Sequence, residues 1–212
     1  MPRLSRKEKQ EHTRTCLMES AARVFARRGL QQASIDEVAG DAGFTKGAFY
    51  ANFKSKEELF LAMLDERFAE KLEAIDRVWS SDGDLQSKAR QAGDDFADYL
   101  SDEEWSRLFF EFAAYAARNE EFRQELVTRY RALRERVAEV YARKKEEMGI
   151  EPAVPPEQVA AMIFAMANGL ALEKLLEPDV VADDAFATML VAFFAGLGAV
   201  SQAEAASKAN AR

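Results

Sequence analysis

One period restricts this chain more than any other feature. Apolar residues recur at i, i+3, i+4 and i+7 almost from end to end, and no stretch alternates as a half-buried strand would. Leu17, Ala21, Val24 and Phe25 stripe a first helix; Ile35, Val38, Ala39 and Ala42 stripe a second. Phe60, Leu64, Phe68, Leu72, Ile75 and Trp79 hold one line for about five turns. Further helices are expected over residues 84–100, 102–118, 120–148, 156–176 and 183–200. The breaks fall at "SSDGD" and at "GIEPAVPPE", where proline cannot continue a helix. The fold class is all-α, with about nine helices, and residues 203–212 are expected to be a disordered tail.

Local signals divide the first 60 residues more finely. Arg27 and Arg28 make a basic last turn, and Gly29 follows them. Ser34 caps the second helix, with Glu37 three residues on as a capping box. Gly43 breaks that helix, with a positive φ expected. Thr45 caps a short third helix that buries Phe49 and leads to Phe53, and Ser55 with Glu58 repeats the start signal. Residues 35–53 therefore spell helix, tight turn, helix. Ala39 is small where the two helices cross, and Phe49 plugs the second against the first. Thr45, Lys46, Gly47, Ala48, Tyr50 and Asn52 form the outer surface. Small residues at 47 and 48 let the backbone sink into a major groove, and Lys46 can reach guanine O6 and N7. Tyr50, the caps Ser34 and Thr45, and Lys56 at the next helix start are expected to hold phosphates.

The charge distribution agrees. Residues 1–56 hold 11 Lys and Arg against 6 Asp and Glu; the remainder hold 18 against 31, and the whole chain is −8. A basic module that meets polyanions is thus joined to an acidic body that does not. The chain has one cysteine and one histidine. That excludes an intramolecular disulfide and a zinc site built from several Cys and His ligands of one chain. His12 and Cys16, spaced i, i+4, read as a partly exposed His beside a packed Cys. Glu111 and Glu173 read as solvated helix positions, so an enzyme is not expected, nor a cofactor or metal. "MPRLSRKEKQEHTRT" lacks the apolar core of a secretory signal. No apolar run is expected to approach the roughly 18 residues of a membrane span. The expected location is the cytoplasm, with no membrane.

"SIDEVAGDAGFTKGAFYANFKSKEELF", preceded by "AARVFARRGLQQA", resembles the DNA-binding domain of the TetR (tetracycline-repressor) family of bacterial transcription regulators over about residues 12–62. The remaining two-thirds is similar to that family only in length and helical pattern. The resemblance implies that Lys46, Gly47 and Ala48 read bases, and that Ser34, Thr45, Tyr50 and Lys56 bind phosphate. Where many members carry histidine, this chain has Asn52, which leaves that contact's partner open. Direct readout then rests on Lys46, Asn52 and a basic arm of Arg3, Arg6, Lys7 and Lys9, with DNA shape completing it.

The expected domains are a helix-turn-helix DNA-binding domain over 1–55 and a ligand-binding and dimerisation domain over 56–202. "VAAMIFAMANGLALEKLL" and "FATMLVAFFAGLGAV" are apolar on more than one face and need cover on all sides. The resemblance implies a homodimer through these last two helices, on pseudo-palindromic double-stranded operator DNA. It also implies a pocket for a small lipophilic effector. Its candidate walls are Leu64, Phe68, Trp105, Phe109, Phe112, Tyr115, Tyr130, Met162 and Asn168, all of which also suit plain core packing. The expected function is a repressor released from its operator by that effector. The alternative is an effector-independent DNA-binding dimer, constitutive or architectural.

Overall fold

The computed structural model describes residues 5–149 and 153–210. Arg3 of the basic arm, residues 150–152 of the proline-bearing break and residues 211–212 of the tail lie outside them. The described residues form nine α-helices, one 3-10 turn at Pro178–Val180 and no strand. In order the helices are α1 (Arg6–Arg28), α2 (Ile35–Asp41), α3 (Lys46–Tyr50), α4 (Lys56–Ser80), α5 (Leu85–Ser101), α6 (Glu103–Ala116), α7 (Glu120–Glu147), α8 (Pro156–Leu176) and α9 (Ala185–Asn210).

They fall into two compact units. The first comprises the described residues of Met1–Phe68 and Glu104–Thr128. Its core holds Leu17, Val24, Phe25, Leu30, Val38, Phe49, Phe53, Phe60, Leu64 and Phe112, all buried. Phe112 of α6 meets the edge of Phe25 from α1 and stacks within 8° of parallel on Phe60 from α4. Trp105 stacks on Phe60 at 5.9 Å, and Phe122 of α7 lies 5.6 Å from Phe112. Offset and edge contacts of this kind add to plain burial. Gly29 ends α1 at φ 73°. Beside it the carboxylate of Glu111 accepts the Leu30 N–H at 2.7 Å. Glu111 is therefore not the solvated position its sequence suggests: it satisfies a donor that the end of α1 leaves open.

The second unit comprises the described residues of Ala69–Glu103 and Arg129–Arg212. Lys88 is buried, and its ammonium donates to the carbonyls of Trp79, at 3.1 Å, and Ser81, closing the last turn of α4. α5 and α9 meet at backbone distance: a Cβ on Gly93 would stand 2.2 Å from the Cα of Ala187. One turn along, Phe96 and Phe186 pack at 5.0 Å.

Two further expectations change. α9 continues to Asn210, through residues read as a tail, because "AEAASKA" is rich in the best helix former. And α8 and α9 do reach span length: Pro156–Leu176 and Ala185–Ala203 each have a mean hydropathy of 1.6. Alanine, leucine and phenylalanine fill them, and α8 keeps its charges, Glu157, Glu173 and Lys174, near its ends. Only 22% and 33% of these stretches is buried within the chain.

Gly93→Ala is expected to force α5 from α9 and lower stability by about 1–3 kcal/mol, the usual penalty of overpacking; a denaturant titration of the two proteins checks this.

Candidate nucleic-acid interface and ligand cavity

Each part of the helix-turn-helix is fixed by a local interaction. Ser34 and Glu37 form a complete capping box: the Glu37 N–H donates to Ser34 Oγ at 3.1 Å, and the Ser34 N–H to Glu37 Oε2 at 3.0 Å. Gly43 turns the chain at φ 75°, and the Phe44 N–H donates to the Ala39 carbonyl at 2.8 Å. Thr45 Oγ1 accepts the Ala48 N–H at 3.2 Å and starts α3. Ala39 and Phe49 are buried, as a crossing point and a plug require. Arg23 and Arg27 of α1 grip Asp41 at the end of α2, at 2.7 and 3.0 Å, and Arg28 reaches Glu37 at 3.3 Å. The two arginines, Arg23 first, hold the Asp41 carboxyl down at about 2.

The outer face of α3 presents Thr45, Lys46 and Gly47, all exposed, with Ala48 half-buried. Tyr50 is 52% exposed, with its ring edge-on to Phe49. Lys46 Nζ pairs with Asp36 at 2.8 Å, and this hydrogen bond raises its pKa. Asn52 is turned inward: its Nδ2 donates to the Ala48 carbonyl at 2.8 Å, and its Oδ1 is buried without a partner. Lys56, expected at a phosphate, has its ammonium engaged within the fold, donating to the carbonyls of Leu30 at 2.7 Å and Ala33 at 2.6 Å. It ties the turn between α1 and α2 to the first turn of α4. Ser55 caps α4 through the Glu58 N–H, while the Glu58 carboxylate takes the Lys54 N–H instead of closing the box. Arg6, Lys7 and Lys9 lie exposed on the first turns of α1, so this part of the basic arm is helical. Sequence reasoning missed Arg14, which donates to the Asn52 carbonyl and covers the Phe53 ring at 4.3 Å, and also Asp36 and Asp41. No spacing rule exposes pairs that span a turn.

A cavity of about 100 Å³ lies wholly within the second unit. Its walls come from α4 (Ile75, Val78, Trp79), α5 (Phe96), α7 (Val140, Tyr141), α8 and α9 (Phe194). None of the nine candidate wall residues lines it. Leu64, Phe68, Trp105, Phe109, Phe112 and Tyr115 belong to the first unit, where all but the half-buried Tyr115 are buried. Tyr115 packs on Phe122 and takes a hydrogen bond from Asn119. Tyr130 and Asn168 bond each other at 3.0–3.1 Å in the second unit, and Met162 is 44% exposed. Among the described residues no group of Cys, His, Asp and Glu is spaced to hold a metal. His12 is exposed beside the half-buried Cys16, with ring nitrogens 3.8 and 3.9 Å from Sγ.

Two family profiles match the sequence. One, described as bacterial regulatory proteins of the tetR family, covers residues 17–63; the other, the C-terminal region of BetI-type transcriptional repressors, covers 86–199. The HTH-type transcriptional regulator YfiR of Bacillus subtilis is 28% identical over 170 residues, 77% of this chain and 80% of that protein. A transcriptional regulator of Pseudomonas aeruginosa PAO1 superposes with a TM-score of 0.76 at 19% identity, covering 93% of each chain. FadR of Bacillus subtilis, solved in complex with stearoyl-CoA, superposes with a TM-score of 0.73 at 16% identity, over 84% of this chain and 95% of that one.

The Asp41 pair sets a pH dependence. A carboxyl held below its ordinary 3.8 in the folded state contributes stability above that value and loses it as pH falls toward 2. Asp41→Asn is expected to melt lower than the parent at pH 7, with the gap closing as pH drops from 5 toward 2.5; thermal melts across that range check it.

Proposed function

The chain belongs to the TetR family of bacterial regulatory proteins, DNA-binding transcription regulators; from that premise we propose that it is a cytoplasmic repressor, released from a pseudo-palindromic operator by a small, largely apolar molecule. The observation that carries the DNA-binding half is the outward face of α3. Its backbone is exposed at Gly47, and Lys46 and Tyr50 stand on the same surface. That face suits a major groove, with the caps Ser34 and Thr45 beside the phosphates. Residues 1–55 carry this function, and 56–202 carry the ligand and dimer contacts. Lys46 reads bases by exchanging its bond to Asp36 for guanine. Lys56 acts chiefly by holding the turn that positions α2, and Asn52 by bracing α3.

A single module of this kind makes too little contact for selective binding, so two copies are required. The surface that supplies them is on α8 and α9. Met162, Leu172 and Leu176 are exposed at spacings of ten and four on α8. Ala192, Ala195, Gly196, Ala199 and Val200 are exposed on α9. Small residues there allow helix backbones to approach closely. A second copy covers these stripes in a four-helix interface, which answers their span-like composition without a membrane.

The cavity favours the effector reading over an effector-independent dimer. α4 begins at Lys56, which ties it to the turn leading into α2, and its last turns supply Ile75, Val78 and Trp79 to the cavity wall. A ligand that fits one setting of α4 better than another shifts the population between them, by no more than its difference in affinity. The stearoyl chain of the stearoyl-CoA held by FadR, a protein of the same fold at 16% identity, supports an apolar part in the effector.

Duplexes selected from a random pool supply the operator for three tests. Lys46→Ala is expected to relax preference at particular base pairs by about 1–3 kcal/mol. Tyr50→Phe should instead weaken all duplexes alike, which a gel-shift series over variant operators separates. A uniform loss in the Lys46 variant would move that residue to the phosphate class. Ala195→Glu should halve the mass seen by sedimentation and abolish tight operator binding; a dimer that survives it removes α9 from the interface.

A further inference from the structure

The cavity holds one polar group that the fold does not use. Tyr141 of α7 lines it, is 2% exposed, and its hydroxyl has no hydrogen-bond partner. Its ring packs against Phe194 at 6.0 Å, so the side chain is held from the wall side. A buried hydroxyl without a partner is unfavourable and uncommon. Nothing in the core packing calls for it: a phenylalanine would fill the same volume.

The rest of the wall narrows what it could serve. Apart from the Trp79 indole, the other polar lining residues are Lys71 and Asp95, of opposite sign, and the Lys71 ammonium already lies 4.9 Å from the Phe96 ring centroid. The wall thus offers no excess charge to an ion, and an unpaired charge in an apolar cavity is costly. Lys145 lies 5.9 Å from the Tyr141 ring centroid but is not part of the wall. Burial raises the Tyr141 pKa, which keeps the phenol protonated and able to donate. At about 100 Å³ the space holds several times what one water needs.

We propose that this cavity takes a neutral, mostly apolar molecule bearing a single hydrogen-bonding oxygen, an alcohol, phenol or ketone, and that Tyr141 is the residue that binds that oxygen. This rests on the effector reading above and names the chemical class for it.

Three probes sharing one body, p-xylene, p-cresol and p-toluate, test it by titration of the full chain without DNA, in the parent and in Tyr141→Phe. The expected result is that Tyr141→Phe weakens p-cresol about five- to tenfold, the worth of one neutral hydrogen bond, and leaves p-xylene unchanged. p-Toluate binds weakest to both proteins. The unliganded variant melts at or above the parent, since it loses only an unsatisfied group; that distinguishes a ligand contact from a structural one. Equal affinity of p-cresol for both proteins, tightest binding by p-toluate, or no binding of any probe to the parent would overturn the proposal. Operator release is scored separately on the same probes. p-Cresol that binds through Tyr141 without releasing operator refutes the effector reading and supports the cavity's assignment. Release by a charged probe, indifferent to Tyr141→Phe, refutes the assignment and supports the effector reading.

Discussion

The ring of Phe112 is the contact on which the DNA-facing part depends. Its edge-on contact with Phe25 and its face on Phe60 bring α1, α4 and α6 together at one point. α1 is then the platform for α2, through Arg23, Arg27 and Asp41, and α2 holds α3 by the crossing at Ala39 and the plug of Phe49. Glu111 adds a polar tie one residue before Phe112, at the N–H of Leu30. Charge and packing therefore converge on the same end of α1. α3 itself is five residues long, too short to be stable alone, and borrows its order from this arrangement.

Much of the first unit was legible in the sequence because its signals are local. Ser34 and Glu37, Thr45 and Gly43 each act within a few residues, and the structure finds them as read. What failed was distance. Glu111 looks solvated on its own helix, and its partner is 81 positions away. Lys56 looks like a free cation at a helix start, and the carbonyls it serves lie 23 and 26 positions back. The aromatics of α6, Trp105, Phe109 and Phe112, were legible as apolar walls, but not which neighbour they face. They pack within the first unit, while the cavity is built from the later turns of α4 and α7. Tyr141 follows Leu133 and Val137 at helical spacing and carries no mark that separates it from them. The span-like character of α8 and α9 was missed for another reason: their many alanines add little apolar weight singly and much in sum.

The basic character of residues 1–56 takes a specific form in three dimensions. Arg23, Arg27, Arg28 and Lys46 all pair with carboxylates of α2, and Lys56 with carbonyls. The positive charge around α2 is thus held in place, not loosely solvated. Pairs this exposed add only modestly to stability, the Asp41 pair most among them. Their value is orientation, because a partner on α2 fixes where each cation stands; under the DNA-binding mode proposed above, so weak a bond would be easily exchanged for a phosphate or a base.

The contact of Gly93 with Ala187 gives the second unit one rigid side. Two backbones already touching cannot come closer, and Phe96 and Phe186 sit one turn and one residue from that point, on the cavity's edge. Room for a larger occupant must come from the opposite helices, whose contacts are made by side chains that can change rotamer. An occupant of the cavity proposed above would find the seam between α5 and α9 already an anvil, unable to close further, and would have to draw its room from side chains elsewhere in the wall.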